Sequence, residues 1–306
     1  MTTAAAEAQA TVAEKVRAAR LSVVSNTLIT LLKLAVGVWT GSVAILSEAV
    51  HSATDLVAAL IAFFAVRVSD QPPDDEHPYG HGKYESLSGA IEALLILGAG
   101  AYIVIEAARA LAHPEPPRDL GWGIALMAGS AVVNLFVARH LMRVARKTDS
   151  LALLADAHHL QIDVWTSLGV VVGLLVVQFT GIVQFDALIA LVVAAFVLRT
   201  AWRLTRDALH PLIDTVLPQA EVEQLTEVLK NDSRVLGYHK LRTRKSGSQR
   251  HIDVHIQVDD EMSLRDAHRL TEELEDRLRQ ALPNVEAMIH TEPYEEECRH
   301  HAQVSH

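Results

Sequence analysis

"LSEAVHSATDLVAAL", residues 46–60, sets Glu48, His51 and Asp55 in a stretch that otherwise reads as a buried apolar helix and holds no lysine or arginine. A charged side chain at the centre of a bilayer costs at least about 2.5–3.5 kcal/mol, so this stretch needs a compensating ligand if it lies in lipid. A second stretch repeats the pattern. In "ADAHHLQIDVWTSLG", residues 155–169, Asp156, His159 and Asp163 keep the same i, i+3, i+7 spacing, which puts each triplet on one helical face.

The surrounding chain supports a membrane setting. About half of the 306 residues are hydrophobic, and they are concentrated in runs near Leu21 to Val38, Val43 to Val66, Leu87 to Leu111, Trp122 to Met142, Leu160 to Phe179 and Phe185 to Arg199. Each run is close to the roughly 20 residues that cross a bilayer as helix, which predicts six transmembrane helices. Lys15, Arg17 and Arg20 precede the first span, Arg67 and Lys83 follow the second, Arg143, Arg146 and Lys147 follow the fourth, and Arg199, Arg203 and Arg206 close the sixth. Basic residues mark the cytoplasmic side, so both termini are expected inside the cell, with Arg118 the main exception on the opposite face. The first twenty residues are polar and helix-forming, unlike a cleaved signal peptide.

The formal charge of −10 argues against a nucleic-acid partner. One cysteine, Cys298, excludes an intrachain disulfide and a cysteine-cluster metal site.

The character of the chain changes at "HPLIDTVLPQAE", residues 210–221, where Pro211 and Pro218 bracket a connector. This divides a membrane domain, residues 1–210, from a soluble domain, residues 211–306. In the latter, helical periodicity in 219–232, alternation in 237–246 and 249–260, a serine-capped helix from Ser263 and renewed alternation in 284–293 give the order αββαβ. Ile252, Val254, Ile256 and Val258 share one strand face, which leaves His251, Asp253, His255 and Gln257 on the other. A small α+β sandwich is expected, with both helices on one face of the sheet.

If the second and fifth helices meet, His51 and Asp55 join His159 and Asp163 in a tetrahedral set of two imidazole nitrogens and two carboxylate oxygens. Zinc accepts such a set, whereas magnesium and calcium prefer oxygen-only shells of higher coordination. Cobalt, cadmium, iron and nickel rank behind zinc. The alternative for any one of these side chains is an interhelical hydrogen bond, but two matched His-x-x-x-Asp pairs favour the metal. His158 points about 100° away and belongs to packing or to the surroundings of the site. Glu48 and Asp156 either assist ion or proton access or face water, with water preferred. An intramembrane metalloprotease is disfavoured, because the chain has no His-Glu-x-x-His segment and a closed four-ligand site leaves no position for water.

The two His-x-x-x-Asp pairs, the six spans and the loop "QPPDDEHPYGHGKYESL", residues 71–87, resemble the cation diffusion facilitator family of zinc transporters. The tail from "GYHKLRTRKSG" to "MIHTEP" resembles that family's cytoplasmic domain, with its copper-chaperone, ferredoxin-like fold. The resemblance implies a homodimer in the bacterial inner membrane that exchanges divalent metal for protons, with zinc as substrate and as a bound regulatory ion. It implies a second metal site at Asp74, His77 and His81, with a solvated turn as the less favoured alternative for such a loop. It also implies metal binding between the two cytoplasmic domains through His239, His255, His268 and His290, with Glu292 where relatives carry aspartate. Two alternatives stand: an efflux transporter of broader specificity for cobalt, cadmium, iron and nickel, or a membrane metal receptor without flux. His51, where some relatives carry aspartate, is expected to narrow preference toward zinc.

Overall fold

The computed structural model describes residues 3–40, 43–112, 121–182 and 184–294. Arg118 and Cys298 lie outside them, as does the side chain of Glu48. The chain divides into two compact units, Met1–Leu209 and His210–His306.

The first unit is built from long helices: α1 (Thr3–Thr40), α2 (Val43–Ser69), α3 (Lys83–Ala112), α4 (Gly121–Thr148), α5 (Leu151–Thr180) and α6 (Gln184–Leu212). Pro72 and Pro73 keep α2 from continuing, because proline lacks the N–H that a helix needs. Between α4 and α5 the chain turns in two residues. Asp149 takes a left-handed φ of 55°, and the Ser150 hydroxyl accepts from the N–H of Leu153 at 3.4 Å.

Among the described residues, four helical segments are long and apolar enough to cross a membrane: Ala10–Trp39, Ala49–Ser69, Lys83–Ala112 and Ala187–Leu212.

Small side chains let these helices approach closely. Ala18, Ala19, Ala65, Ala138, Leu141, Ala152, Leu153, Ala157 and Leu160 form one buried cluster from α1, α2, α4 and α5, as expected where van der Waals packing and not water exclusion holds helices together. A second cluster joins Ala93 and Ile96 of α3 to Ile162 of α5 and to Val197, Ala201 and Leu204 of α6. At Gly169 the Val193 side chain would stand 2.6 Å from an added Cβ, so any other residue there would force Val193 of α6 to shift. Large apolar side chains such as Leu28, Phe64, Phe136, Val192 and Trp202 are exposed on the outside, the arrangement a lipid-facing surface requires.

The second unit continues with α7 (Gln219–Lys230), β1 (Gly237–Ser246), β2 (Gln249–Val258), α8 (Leu264–Ala281) and β3 (Val285–Pro293). The sheet order is β1-β2-β3, with β1 antiparallel and β3 parallel to β2. Ser263 caps α8 by accepting from the Asp266 N–H. Ile252, Val254, Ile256 and Val258 are buried among Leu225, Leu229, Leu270, Leu274 and Leu278, which is the alternation expected of β2. His251 lies on the face opposite this core, as expected, but is buried there: it is 7% exposed, with Nδ1 3.3 Å from Glu286 of β3. Burial lowers its affinity for a proton.

Candidate metal centres

Helices α2 and α5 pack against each other and bring three of the four expected side chains together. His51, Asp55 and Asp163 each offer a ligand atom within 4.8 Å of the others. The fourth, His159, is tied to the group through Nε2, 3.1 Å from Asp55 Oδ1. Four tetrahedral ligands at the zinc distance stand roughly 3.4 Å apart, so the three converging side chains lie within reach of one ion, with His159 beside them on Asp55. Asp163 Oδ2 and His159 Nδ1 are buried and make no hydrogen bond. These residues line a cavity of about 780 Å³ together with Asn26, Lys33 and Ser52.

Three buried groups near this cavity escaped the sequence reading or differ from it. Lys33 of α1 is 6% exposed and donates from Nζ to Ser52 Oγ at 2.8 Å. It supplies, from another helix, the positive charge that residues 46–60 lack. The signal was present as a single lysine in an otherwise apolar span. Asp156 was expected to face water, yet it is 1% exposed, because its turn of α5 faces α1 and α3. Glu92 of α3 is fully buried beside it. Neither carboxylate makes a hydrogen bond of ordinary geometry, although the Ser22 and Ser88 hydroxyls stand next to them. His158 is half-buried.

The loop between α2 and α3 forms a second group. Asp74 Oδ1 accepts from the N–H of His77 at 2.6 Å and lies 3.2 Å from His77 Nδ1, while Asp74 Oδ2 lies 3.3 Å from His81 Nε2. These separations match those of neighbouring ligands on one ion. Gly80, at φ +76°, makes the turn that returns His81 toward His77, and its N–H donates to the His77 carbonyl at 2.9 Å. The N–H of His77 holds the exposed Asp74 carboxyl below the usual carboxylate range, with smaller help from the two imidazoles.

The tail group follows from sheet register. His239 pairs with His255 across β1 and β2, and His255 pairs with His290 across β2 and β3, so one row of the sheet carries three histidines. Glu292, two residues along β3, reaches back into the row. Its Oε2 is 3.1 Å from His239 Nε2, its Oε1 is 3.5 Å from His290 Nε2, and it contacts His255 Nδ1 most closely of all. Burial pushes the Glu292 carboxyl up, but His255, His239 and Lys240 outweigh it and hold the group low. A register irregularity between His239 and Arg242, with Lys240 at φ 48°, marks a bulge beside this row, and pairing with β2 continues on both sides of it. His268 does not join this group: it is exposed on α8, 3.6 Å from Glu272.

A buried ion cluster ties together helix ends in the first unit. Lys15 Nζ lies 2.8 Å from Asp70 Oδ1 and 3.1 Å from Glu85 Oε1. Glu85 also accepts from Ser69 at 3.1 Å and from Ser150 at 2.6 Å. This joins α1, the end of α2, the start of α3 and the α4–α5 turn.

Comparison with known proteins agrees in both units. The cation efflux transmembrane domain family matches residues 19–213, and the cation efflux protein cytoplasmic domain family matches residues 217–294. Relatives include the cation-efflux pumps FieF of Yersinia pestis (strain Pestoides F) and of Yersinia pseudotuberculosis serotype O:3 (strain YPIII). Each is 37% identical over 279 residues, covering 91% of this chain and 93% of theirs. The metal-bound C-terminal domain of the CzcD transporter from Thermotoga maritima is 30% identical and covers 25% of this chain and 94% of that one, with a TM-score of 0.24.

Proposed function

The chain belongs to the cation efflux family of integral membrane transporters and is not an enzyme, and from this premise we propose that it exports zinc in exchange for protons. Residues 1–210 form the transport domain, with α4 and α5 spanning the bilayer beside the other four long helices, and residues 211–306 form a metal-binding, dimerising domain. The working unit is a homodimer in the bacterial inner membrane with both termini in the cytoplasm.

One observation carries the reading: His51, Asp55 and Asp163 converge from α2 and α5 inside the helical unit, with His159 held on Asp55. Two imidazoles and two carboxylates suit zinc better than harder dications. Metal binding requires neutral imidazoles and ionised carboxylates, so occupation releases protons and protonation releases metal. When the site opens to the cytoplasm it takes up zinc. When it opens outward, protons on His51, His159 and the aspartates displace the ion. Asp74, His77 and His81 form a loop metal site, while His239, His255, His290 and Glu292 form a tail site that senses cytoplasmic zinc. His268 contributes only across the dimer.

Purified protein in liposomes should move zinc under an imposed pH gradient, and Asp55→Ala should abolish the flux. Zinc binding without flux would leave a metal receptor instead. Competition by cadmium, cobalt, iron and nickel in the same liposomes separates a zinc exporter from a transporter of broad specificity.

A further inference from the structure

We propose that the ammonium group of Lys33 is a built-in counter-cation for the intramembrane site, competing with the transported metal ion for the carboxylates of Asp55 and Asp163. The inference rests on the reading of these residues as the transport site.

Lys33 sits on α1, outside both His-x-x-x-Asp pairs, and is buried in the cavity wall that also carries His51, Asp55, His159 and Asp163. Its Nζ is anchored 2.8 Å from Ser52 Oγ, and Ser52 is itself 4% exposed and lies one helical turn before Asp55 on α2. The backbone is fixed at the same place, since the Thr30 hydroxyl donates to the Ser52 carbonyl at 3.0 Å. The ammonium-bearing side chain, Asp55 and Asp163 line the same cavity, where opposite charges attract across low dielectric.

Charge balance gives the position its meaning. Two carboxylates in a lipid-embedded cavity are costly without compensation, and a carrier must pass through an empty state to complete its cycle. A lysine on a flexible four-carbon stem can lean toward the carboxylates when the ion leaves and withdraw toward Ser52 when it returns. A dication alone neutralises Asp55 and Asp163. A dication beside an immobile ammonium would leave one uncompensated positive charge in low dielectric, where like charges repel strongly. The lysine therefore holds metal affinity below what four bare ligands would give, which favours release. It does so by moving.

The test uses the full chain with the other clusters silenced by His77→Ala, His81→Ala, His239→Ala, His255→Ala and Glu292→Ala. Zinc affinity is measured by competition with a fluorescent chelator, and flux by liposome assay. An opposite charge nearby alters the proton affinity of a carboxylate by about tenfold to a thousandfold, so Lys33→Met and Lys33→Gln should each tighten zinc binding by at least about tenfold while slowing turnover. Lys33→Arg should stay near the parent. A lysine needed only for packing would leave affinity unchanged or weaken it, and either result in both neutral variants overturns the inference. If neither neutral variant folds, tighter binding in Lys33→Arg, which keeps the charge, would overturn it, and parental affinity would support it. Loss of any Asp55-dependent zinc binding in the Lys33 parent would instead overturn the transport-site reading, and this inference with it.

Discussion

His159 Nε2 and Asp55 Oδ1 stand 3.1 Å apart, although the two residues are separated by 104 positions in the chain. This contact joins the two repeats of the His-x-x-x-Asp pattern and is the closest link between α2 and α5 within the intramembrane group. A proton on His159 makes it a charge-assisted hydrogen bond. A metal ion in its place would use the same two atoms as ligands.

Replacing His159 by alanine should therefore do more than remove a hydrogen bond. Loss of partners that merely support metal ligands already costs about 10–100-fold in affinity, so His159→Ala is expected to weaken zinc binding by at least that much and to stop flux. Chelator competition and liposome uptake check the two effects separately. Retention of full flux would show that His159 is only an interhelical bond.

Lys15 is 2% exposed and Glu85 is 1% exposed. Breaking a buried pair by removing one partner costs about 3–5 kcal/mol, because the remaining charge loses its compensation. Lys15→Met should lower the thermal stability of the detergent-solubilised protein accordingly. The triple variant with Glu85→Gln and Asp70→Asn should recover much of the loss, since it leaves neither carboxylate without its ammonium partner.

Gly80 holds a left-handed φ of +76°, with Pro73 at ordinary contact distance, so any penalty for a side chain there arises from the backbone. That penalty is about 1–2 kcal/mol, or around tenfold in an equilibrium constant at 1.4 kcal/mol per decade. Gly80→Val should weaken zinc binding at the loop by this factor in a chain whose intramembrane and tail groups have been silenced. Unchanged affinity would mean that the loop holds no ion.

In the tail, Asp232 accepts from Arg234 through both oxygens, at 2.9 and 2.7 Å, and from Arg277 at 2.8 Å. The Arg234 hydrogen bond holds the Asp232 carboxyl well below the usual carboxylate range, against the pull of burial. A lowered carboxylate stabilises the fold above its unfolded value near 3.9, and the contribution is lost as pH falls through the lower folded value. Asp232→Asn should cost about 1.5–3 kcal/mol at pH 7, the net worth of a hydrogen bond to a charged group. Hydrogen exchange of α7 and α8 should show that deficit shrinking steadily below about pH 4.

The sequence by itself determined the helices, the division near residue 210 and the identity of nearly every candidate ligand. Spacing along one chain is enough for these, because helical periodicity puts His51 with Asp55 and His159 with Asp163 on single faces, and strand alternation separates Ile252 and Val254 from His255. The tertiary structure decided which charges meet. Lys33, Glu92, Lys15 and Glu85 carry no motif, and partners of Lys33, Lys15 and Glu85 come from residues as far as 19, 70 and 65 positions away. Sheet register assembled His239, His255 and His290 into one row, and the same packing buried Asp156, which its own stretch of α5 had suggested would meet water. Local pattern fixes the direction a side chain takes from its own helix or strand, whereas its electrostatic partner depends on which helix or strand packs against that face.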